Sequence, residues 1–412
     1  MNDFQLLVFI FYLLSDMKKR FTQLTLLLLL SFGANAQGLL SQLSTSDSTS
    51  NQSLFERITG IEKKTNRFNL TLNMQSTFNA TFEDGSFKQA AFKMNQLRLE
   101  ARGDINSWLS YRWRQRLNSG NTAHDLDNLP SSIDYAMLTV RLTDKLSTMI
   151  GKQAAAYGGF EYDLDPIEIY QYSDMIDLMY FDFMTGITFS YMVTPSQELA
   201  LQITNSHTAS VQDIYGLLPN GLEESKAPLA YSVNWNGAFF NDAFKTRWSF
   251  SVLSQAKEKY NYFYALGNDL TLGKFNMFLD FYLSREDLDS RGILSEIYRK
   301  DTHLPCAENA RYTSWVTKLN YRFLPKWNVL VKGMYETASL SKKTEQMDKG
   351  KYRTSYGYFG GVEFYPMTEN LHFFATYMGR TYHFTGRAKA LDCTNYNTST
   401  LSLGLIYHIP LF

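Results

Sequence analysis

The sequence predicts an all-β fold, a transmembrane antiparallel up-and-down β-barrel of about sixteen strands. Three observations predict it. Apolar and polar residues alternate along most of the chain, short and long connections alternate between these segments, and the N-terminus has the pattern of a secretory signal. Strands with one apolar and one polar face fit a barrel that has lipid outside and water inside.

The N-terminus carries MKKRFTQLTLLLLLSFGANAQ, which begins at Met17. Basic residues, an apolar run and an A-x-A pattern that ends at Ala36 follow one another in this order. This pattern predicts a signal peptide over residues 1–36 that is cleaved before Gln37. Residues 1–16 are then an upstream extension, and Met17 is the expected start.

A transmembrane anchor over residues 1–32 is the alternative. Charged residues at 16–20 split this stretch, and neither part reaches the roughly 20 apolar residues that span a bilayer. The signal peptide is therefore favoured. Residues 37–66 are expected to form an N-terminal periplasmic segment with a possible short helix at 54–64, and residues 67–412 the barrel.

Composition excludes several classes of function. Without residues 1–36 the chain keeps 37 basic and 38 acidic residues, so no nucleic-acid partner is expected. The 27 Tyr and 30 Phe suit the aromatic girdles of a barrel in outer-membrane lipid. The six His form no H-x-x-x-H pair, and no Gly-rich phosphate loop is present, so neither an enzyme nor a cofactor is predicted.

Residues 67–82, RFNLTLNMQSTFNATF, show the strand pattern first. Apolar residues occupy one face, and uncharged polar residues occupy most of the other. The alternation returns as far as the C-terminus, most clearly at 275–283 and 401–409. With the weaker segments near 145–153 and 260–272, the count reaches about sixteen, an even number as bacterial barrels require.

The connections sort by length. Short ones are expected at 103–106, 143–145, 194–197, 241–243, 272–274, 324–326 and 366–370. Long ones are expected at 83–91, 118–132, 154–182, 206–228, 286–310, 338–352 and 383–396. A tight turn at 257–259 is the exception to the alternation. Membrane barrels have short periplasmic turns and longer outer loops, so both termini are expected in the periplasm.

Two segments carry a family resemblance. RLEARGDINSWLSYRWRQRL at 98–117, and IGKQAAAYGGFEYDLDPIEIYQYSDMIDLM at 150–179 with FMTG after it, resemble the porin family related to the phosphate-selective porins O and P, in the version found in Bacteroidota. The resemblance covers most of residues 67–412. It implies a sixteen-stranded, homotrimeric barrel in the cell outer membrane, whose third loop folds inward and narrows the pore.

The sequence departs from the family pattern at its C-terminus. Phe412 is the terminal aromatic residue that the family leads us to expect, but it follows Pro410 and is out of phase with the strand that begins at Leu401. A β-bulge near His408 would restore the phase.

Five arginines fall on the polar faces of the second and third strands. They are Arg98, Arg102, Arg112, Arg114 and Arg116. Facing lipid, each would cost roughly 2–4 kcal/mol at the midplane, so the sequence predicts a basic wall that lines the pore. Such a wall attracts small anionic or polar solutes. The alternative is that internal carboxylates pair with these arginines and cancel their selectivity.

The predicted third loop is acidic. Its carboxylates are Glu161, Asp163, Asp165, Glu168, Asp174, Asp177 and Asp182, and no Lys or Arg lies among them. An acidic loop against an arginine wall creates a transverse field, whereas a phosphate-specific pore would be positive all round. The alternative to an inward-folded loop is a solvated surface loop.

No metal is predicted in this loop. Asp163, Asp165 and Glu168 are too few for an EF-hand, and Pro166 interrupts them.

Cys306 and Cys393 fall in two long loops on the outer, oxidising side, and they form a possible disulfide.

The function predicted from these features together is passive diffusion of small polar or charged solutes and ions through a water-filled pore. The alternative is a plugged barrel that acts as a binding or scaffold subunit of a larger complex.

Overall fold

We analysed the chain in a computed structural model. It describes residues 67–120, 123–124, 126–180, 182–298, 304–345, 347–367 and 369–411. The predicted signal peptide and periplasmic segment lie outside the described residues, as does Phe412.

Sixteen antiparallel strands close into a barrel, as predicted. The first eight are β1 Asn69–Glu83, β2 Ser86–Asp104, β3 Leu109–Arg116, β4 Ile133–Arg141, β5 Leu146–Ala154, β6 Phe183–Thr194, β7 Gln197–Asn205 and β8 Leu229–Phe239. The others are β9 Phe244–Ala256, β10 Lys259–Leu272, β11 Phe275–Leu288, β12 Glu308–Leu324, β13 Trp327–Leu340, β14 Gly350–Phe364, β15 Leu371–Phe384 and β16 Tyr396–Pro410. Pairing of β1 with β16 closes the sheet, so the barrel has no free lateral edge.

The alternation of residues sets the two faces of the wall. On β10, Tyr262, Tyr264 and Leu266 are exposed on the outside, whereas Phe263 and Ala265 between them are fully buried inside. Exposed large apolar residues on the outer face are what lipid requires. The period-2 pattern therefore predicted both the strands and their orientation.

Short helices lie only in the long connections of the described chain. They are α1 Phe160–Asp163, α2 Asp174–Asp177, α3 Val211–Tyr215, α4 Ile293–Tyr298 and α5 Gly386–Lys389, with a 3₁₀ turn at Pro166–Glu168. None of the helices in the described residues is long and apolar enough to cross a membrane.

The lengths of the connections mostly follow the prediction, but the expected long loop at 83–91 is wrong. Strands β1 and β2 join through a two-residue turn at Asp84 and Gly85, with φ of 47° and 76°. Two positive φ values and an Asp-Gly pair are typical of a type I′ hairpin turn. Pairing with β1 resumes directly after the turn, so β2 begins at Ser86.

The bulge expected near His408 is also wrong. Strand β16 pairs with β1 without a register shift from Thr398 to Pro410, and Tyr407 lies opposite Leu371 on β15 in an equally regular register. The continuous ladder on both sides holds this strand in a single phase, so no residue is left over for a bulge.

A buried apolar cluster lies under the outer loops. It includes Ile214 of α3, Leu294 and Ile297 of α4, and Cys306, with Cys393 packed against it. The thiol of Cys393 donates a hydrogen bond to the Ile297 carbonyl oxygen at 3.7 Å. Both cysteines therefore belong to one cluster, and their disulfide stays a prediction.

Candidate functional site

The third loop, L3, comprises residues 155–182 between β5 and β6, and it lies inside the barrel. Two glycines permit its close approach to the wall. A Cβ on Gly159, whose φ is 84°, would lie 2.1 Å from the Tyr282 hydroxyl oxygen. A Cβ on Gly267 of β10 would lie 2.7 Å from the Gly159 Cα. Because neither residue has a side chain, the loop backbone rests directly on the strands.

Two wall carboxylates bind the loop through its backbone. Asp280 of β11 accepts hydrogen bonds from the Phe160 amide at 3.0 Å and from the Glu161 amide at 2.7 Å. Glu336 of β13 accepts from the Asp174 and Met175 amides, each at 2.9 Å. These amides open the helical turns α1 and α2 and have no partner within those turns, so the carboxylates satisfy them.

Three of the predicted acidic residues are anchors. Glu161 forms a buried ion pair with Lys332 of β13. Asp163 pairs with Arg247 of β9, with 2.5 Å between the carboxylate oxygen and Nε. Asp174 pairs with both Arg353 of β14 and Arg380 of β15. The loop is thus bound to strands that lie away from the predicted arginine wall, which rules out the solvated surface loop.

The remaining acidic residues of L3 line a cavity. Asp165 lies 3.4 Å from the Arg114 guanidinium, and Glu168 lies 2.7 Å from Nε2 of His408. The side chains of Asp165 and Glu168 are 32% and 34% exposed. Asp177 and Asp182 line the same cavity. Asp163, Asp165 and Glu168 have separate partners, Arg247, Arg114 and His408, and do not converge on one point.

The five arginines lie along one side of the cavity, and carboxylates neutralise much of their charge. Asp134 of β4 lies 2.8 Å from Arg98, 3.0 Å from Arg114 and 3.2 Å from Arg116. Glu100 of β2 lies 2.9 Å from Arg112 and 4.0 Å from Arg102. The internal pairing that the sequence left open is therefore present.

Exposure divides the arginines into two groups. Arg98 and Arg114 are almost completely buried in their ion pairs. The side chain of Arg116 is 34% exposed and that of Arg102 is 20% exposed, and both line the cavity. Arg112 stacks on the Tyr135 ring, with 3.8 Å between Cζ and the ring centroid. The solvated positive charge therefore lies mainly on Arg102 and Arg116.

Asp134 is one of the site residues that the sequence analysis missed, as are the wall partners of the L3 carboxylates. Strict alternation along β4 puts residue 134 on the same face as Ala136 and Leu138, which point outward. The register between β3 and β4 shifts at this point. Arg114 pairs with Tyr135 and Gln115 pairs with Ile133, so Asp134 has no partner residue on β3. This β-bulge turns the carboxylate into the barrel. An isolated acid in an otherwise apolar strand was the available signal.

The loop carboxylates differ in charge state. Burial by itself would raise the pKa of Asp165, but Arg114, Arg98 and the Ile167 amide outweigh it and lower the pKa to about 2. Burial, together with the neighbouring Asp134 carboxylate, raises the pKa of Asp182 to about 7. Asp165 is therefore ionised at neutral pH, whereas Asp182 is about half ionised.

One cavity of about 710 Å³ lies between the arginine wall and L3. Its lining includes Asn69 and Pro410 at the end of the barrel with short turns, and Ser131 and Thr208 near the end with long loops. Residues from both ends of the strands therefore border the same space. The anchors of L3 lie on the other side of the loop.

Solved structures of several outer-membrane channels share this fold. The outer-membrane channel DcaP of Acinetobacter baumannii matches with a TM-score of 0.56 and 11% identity, over 85% of this chain and 99% of that one. Salmonella typhi OmpF in complex with daunomycin matches with a TM-score of 0.55 and 11% identity, over 83% and 98%. An anion-selective porin from Comamonas acidovorans matches with a TM-score of 0.53 and 7% identity, over 83% and 99%. No curated protein sequence matches this chain significantly.

A closed sixteen-stranded barrel, apolar outside, with its third loop bound inside a polar lumen, defines an outer-membrane porin. The family model of the phosphate-selective porins O and P matches residues 68–409, and the chain belongs to that family. It is a channel of the outer membrane, and small polar or charged solutes and ions cross it by passive diffusion.

Proposed function

We propose that solutes cross along the arginine wall, between this wall and L3, and that the pore admits small polar and zwitterionic solutes rather than phosphate alone. The observation that carries this proposal is a continuous cavity whose lining includes residues from both ends of the barrel. The ion pairs that hold L3 on β9 and β13–β15 support it, because the cavity lies on the other side of the loop, along β1–β5.

The charges along this path have both signs. Arg102 and Arg116 are solvated on the wall, and Asp165 and Glu168 are solvated on the loop. Opposite charges across a narrow pore orient dipolar solutes, whereas the carboxylates repel phosphate. Phosphate, which the family description names, is therefore not proposed as the specific solute of this chain.

Replacing the two solvated arginines tests the path. In the double variant Arg102→Ala and Arg116→Ala, the Cl⁻ to K⁺ permeability ratio should fall by about twofold, because the carboxylates of L3 then dominate the local potential. The measurement is the reversal potential of single channels in a KCl gradient.

The matched control is Arg322→Ala. Arg322 lies on the periplasmic rim, 2.8 Å from Glu369, and is not part of the cavity lining. Its removal should leave the reversal potential unchanged. An unchanged potential in the double variant as well would show that ions do not pass along the arginine wall.

The second candidate is the plugged barrel that serves as a binding or scaffold subunit, because L3 is bound along much of the lumen. A porin gives steady unitary currents in KCl, and a plugged barrel gives none. Bilayer recordings of the purified protein distinguish the two.

We also propose that the barrel is a homotrimer and that its precursor is cleaved between Ala36 and Gln37. The first rests on the family and the second on the A-x-A pattern. The likeness of residues 97–205 to the Bacteroidota version of the family supports an origin there. Light scattering in detergent should give three chains per particle, and N-terminal sequencing should begin at Gln37.

A further inference from the structure

Basic side chains form a row on the outer surface of the barrel, near the ends of three strands that bear long loops. Arg285 of β11 lies directly opposite Arg311 of β12. Arg311 in turn lies opposite Ser339 of β13, and Ser339 lies opposite Lys351 of β14. All three basic residues are exposed. The register puts the two arginines side by side on neighbouring strands, with Lys351 two strands further along the sheet.

These side chains point toward lipid rather than into the lumen. Residues Ser284 and Glu286, on either side of Arg285, are buried inside the barrel. Residues Tyr312 and Ser314 of β12 are likewise buried inside the barrel. Trp315, which lies on the same face of β12 as Arg311, is exposed. Because residues that lie opposite each other in a sheet share a face, Arg285 and Arg311 leave from the same outer surface.

The row lies at the upper border of the apolar band. From Phe275 to Arg285 the strand rises about 34 Å, or about 26 Å along the barrel axis at a tilt of about 40°. The apolar band of such barrels is about 25 Å tall. Exposed aromatic residues on β10 and β12–β14 lie below the row, as an interfacial girdle does. They are Tyr264, Trp315, Tyr335 and Tyr356.

The two guanidinium groups are close enough to repel each other. Opposite residues in a sheet have Cβ atoms about 4.5–5.5 Å apart, and like charges at that distance are destabilising. Among the described residues, no carboxylate forms an ion pair with either arginine. The next residue in the same phase, Asp287, accepts a hydrogen bond from the Tyr260 amide at 2.9 Å. An anion from outside the chain would remove the repulsion.

We propose that Arg285 and Arg311, with Lys351 two strands away on the same face, bind a phosphorylated lipid headgroup of the outer leaflet. At this height the groups in reach are headgroups, and phosphate is the headgroup anion that guanidinium binds in bidentate fashion. Two arginines on adjacent strands match phosphate oxygens a few ångströms apart. This binding site lies outside the pore and is independent of what the pore transports.

Lipid binding by the whole barrel tests the proposal. Native mass spectrometry in nonionic detergent would measure the binding of bisphosphorylated lipid A to the wild type and to the variant Arg285→Gln with Arg311→Gln. The variant should bind about tenfold more weakly, because two charge-assisted contacts are lost. Lipid A without its phosphates should bind the wild type as weakly as the variant binds the phosphorylated lipid.

The matched control is Lys145→Gln with Lys274→Gln, which removes two exposed charges from periplasmic turns. It should keep wild-type affinity. The conservative variant Arg285→Lys with Arg311→Lys should retain part of the binding. If the glutamine variant does not fold, the lysine variant replaces it in the binding measurement. Equal affinities of the wild type and the glutamine variant would overturn the proposal. So would equal binding of the dephosphorylated lipid, or inorganic phosphate binding with lipid-like affinity, which would indicate a soluble-anion site.

Discussion

At the scale of single residues, the seven carboxylates of L3 have two different tasks. Glu161, Asp163 and Asp174 are buried in ion pairs that hold the loop on strands β9 and β13–β15. Asp165 and Glu168 remain partly solvated in the cavity. Only the second group contributes strongly to the field that a solute meets, because buried pairs largely cancel their own charges.

Asp182 gives this field a pH dependence. Its pKa is raised to about 7 by burial and by the Asp134 carboxylate, with Asp177 adding to the effect and Arg116 and Arg98 opposing it. As the pH rises from 6 to 8, Asp182 loses its proton and adds negative charge to the pore. The Cl⁻ to K⁺ permeability ratio should therefore fall over this range, by about twofold.

Recordings of the reversal potential at pH 6, 7 and 8 would check this. In the variant Asp182→Asn the ratio should fall less over this range than in the wild type. If it keeps the wild-type pH dependence, another group is titrating.

At the scale of elements, the position of L3 depends on two glycines that meet at the barrel wall. Adding a methyl group at Gly159 or Gly267 creates contacts of 2.1 Å or 2.7 Å with the neighbouring chain. We expect Gly159→Ala and Gly267→Ala to displace the loop. Each should cost about 1–3 kcal/mol of the free energy of unfolding and should raise the single-channel conductance.

Gly333→Ala is the matched control for these variants. It lies on β13, and the nearest atom to an added Cβ is Thr317 Cγ2 at 3.8 Å, an ordinary contact. Its stability in urea and its single-channel conductance in bilayer recordings should both equal those of the wild type. Wild-type conductance and stability in both other glycine variants would mean that L3 is not held at this contact.

At the scale of the whole molecule, the closed sheet leaves the outer loops to cover its mouth. The loops that contain α4 and α5 meet in one apolar cluster, to which Cys306 and Cys393 both belong. A disulfide between them would close a loop of 87 residues. In the chain-entropy model, a disulfide that closes a loop of this length stabilises the fold by about 4.6 kcal/mol. We expect the intact mass of the protein from the oxidising compartment to be lower by two hydrogens than that of the reduced protein.

The variant Cys306→Ser with Cys393→Ser should then unfold at a lower urea concentration, while its conductance stays unchanged. Reaction of both cysteines with a thiol reagent in the denatured, unreduced protein would rule the disulfide out.

The sequence by itself determined the barrel. Lipid and water on the two sides of a strand impose a period of two, so the alternation identified the strands, their faces and the arginine wall. It failed at the Asp-Gly turn after Glu83, which looked like a longer loop, and at the bulge that turns Asp134 inward. Tertiary structure alone decided which carboxylates anchor L3 and which face the pore. Glu161 and Asp165 are alike in sequence, and they differ because their partners, Lys332 and Arg114, come from strands far away along the chain.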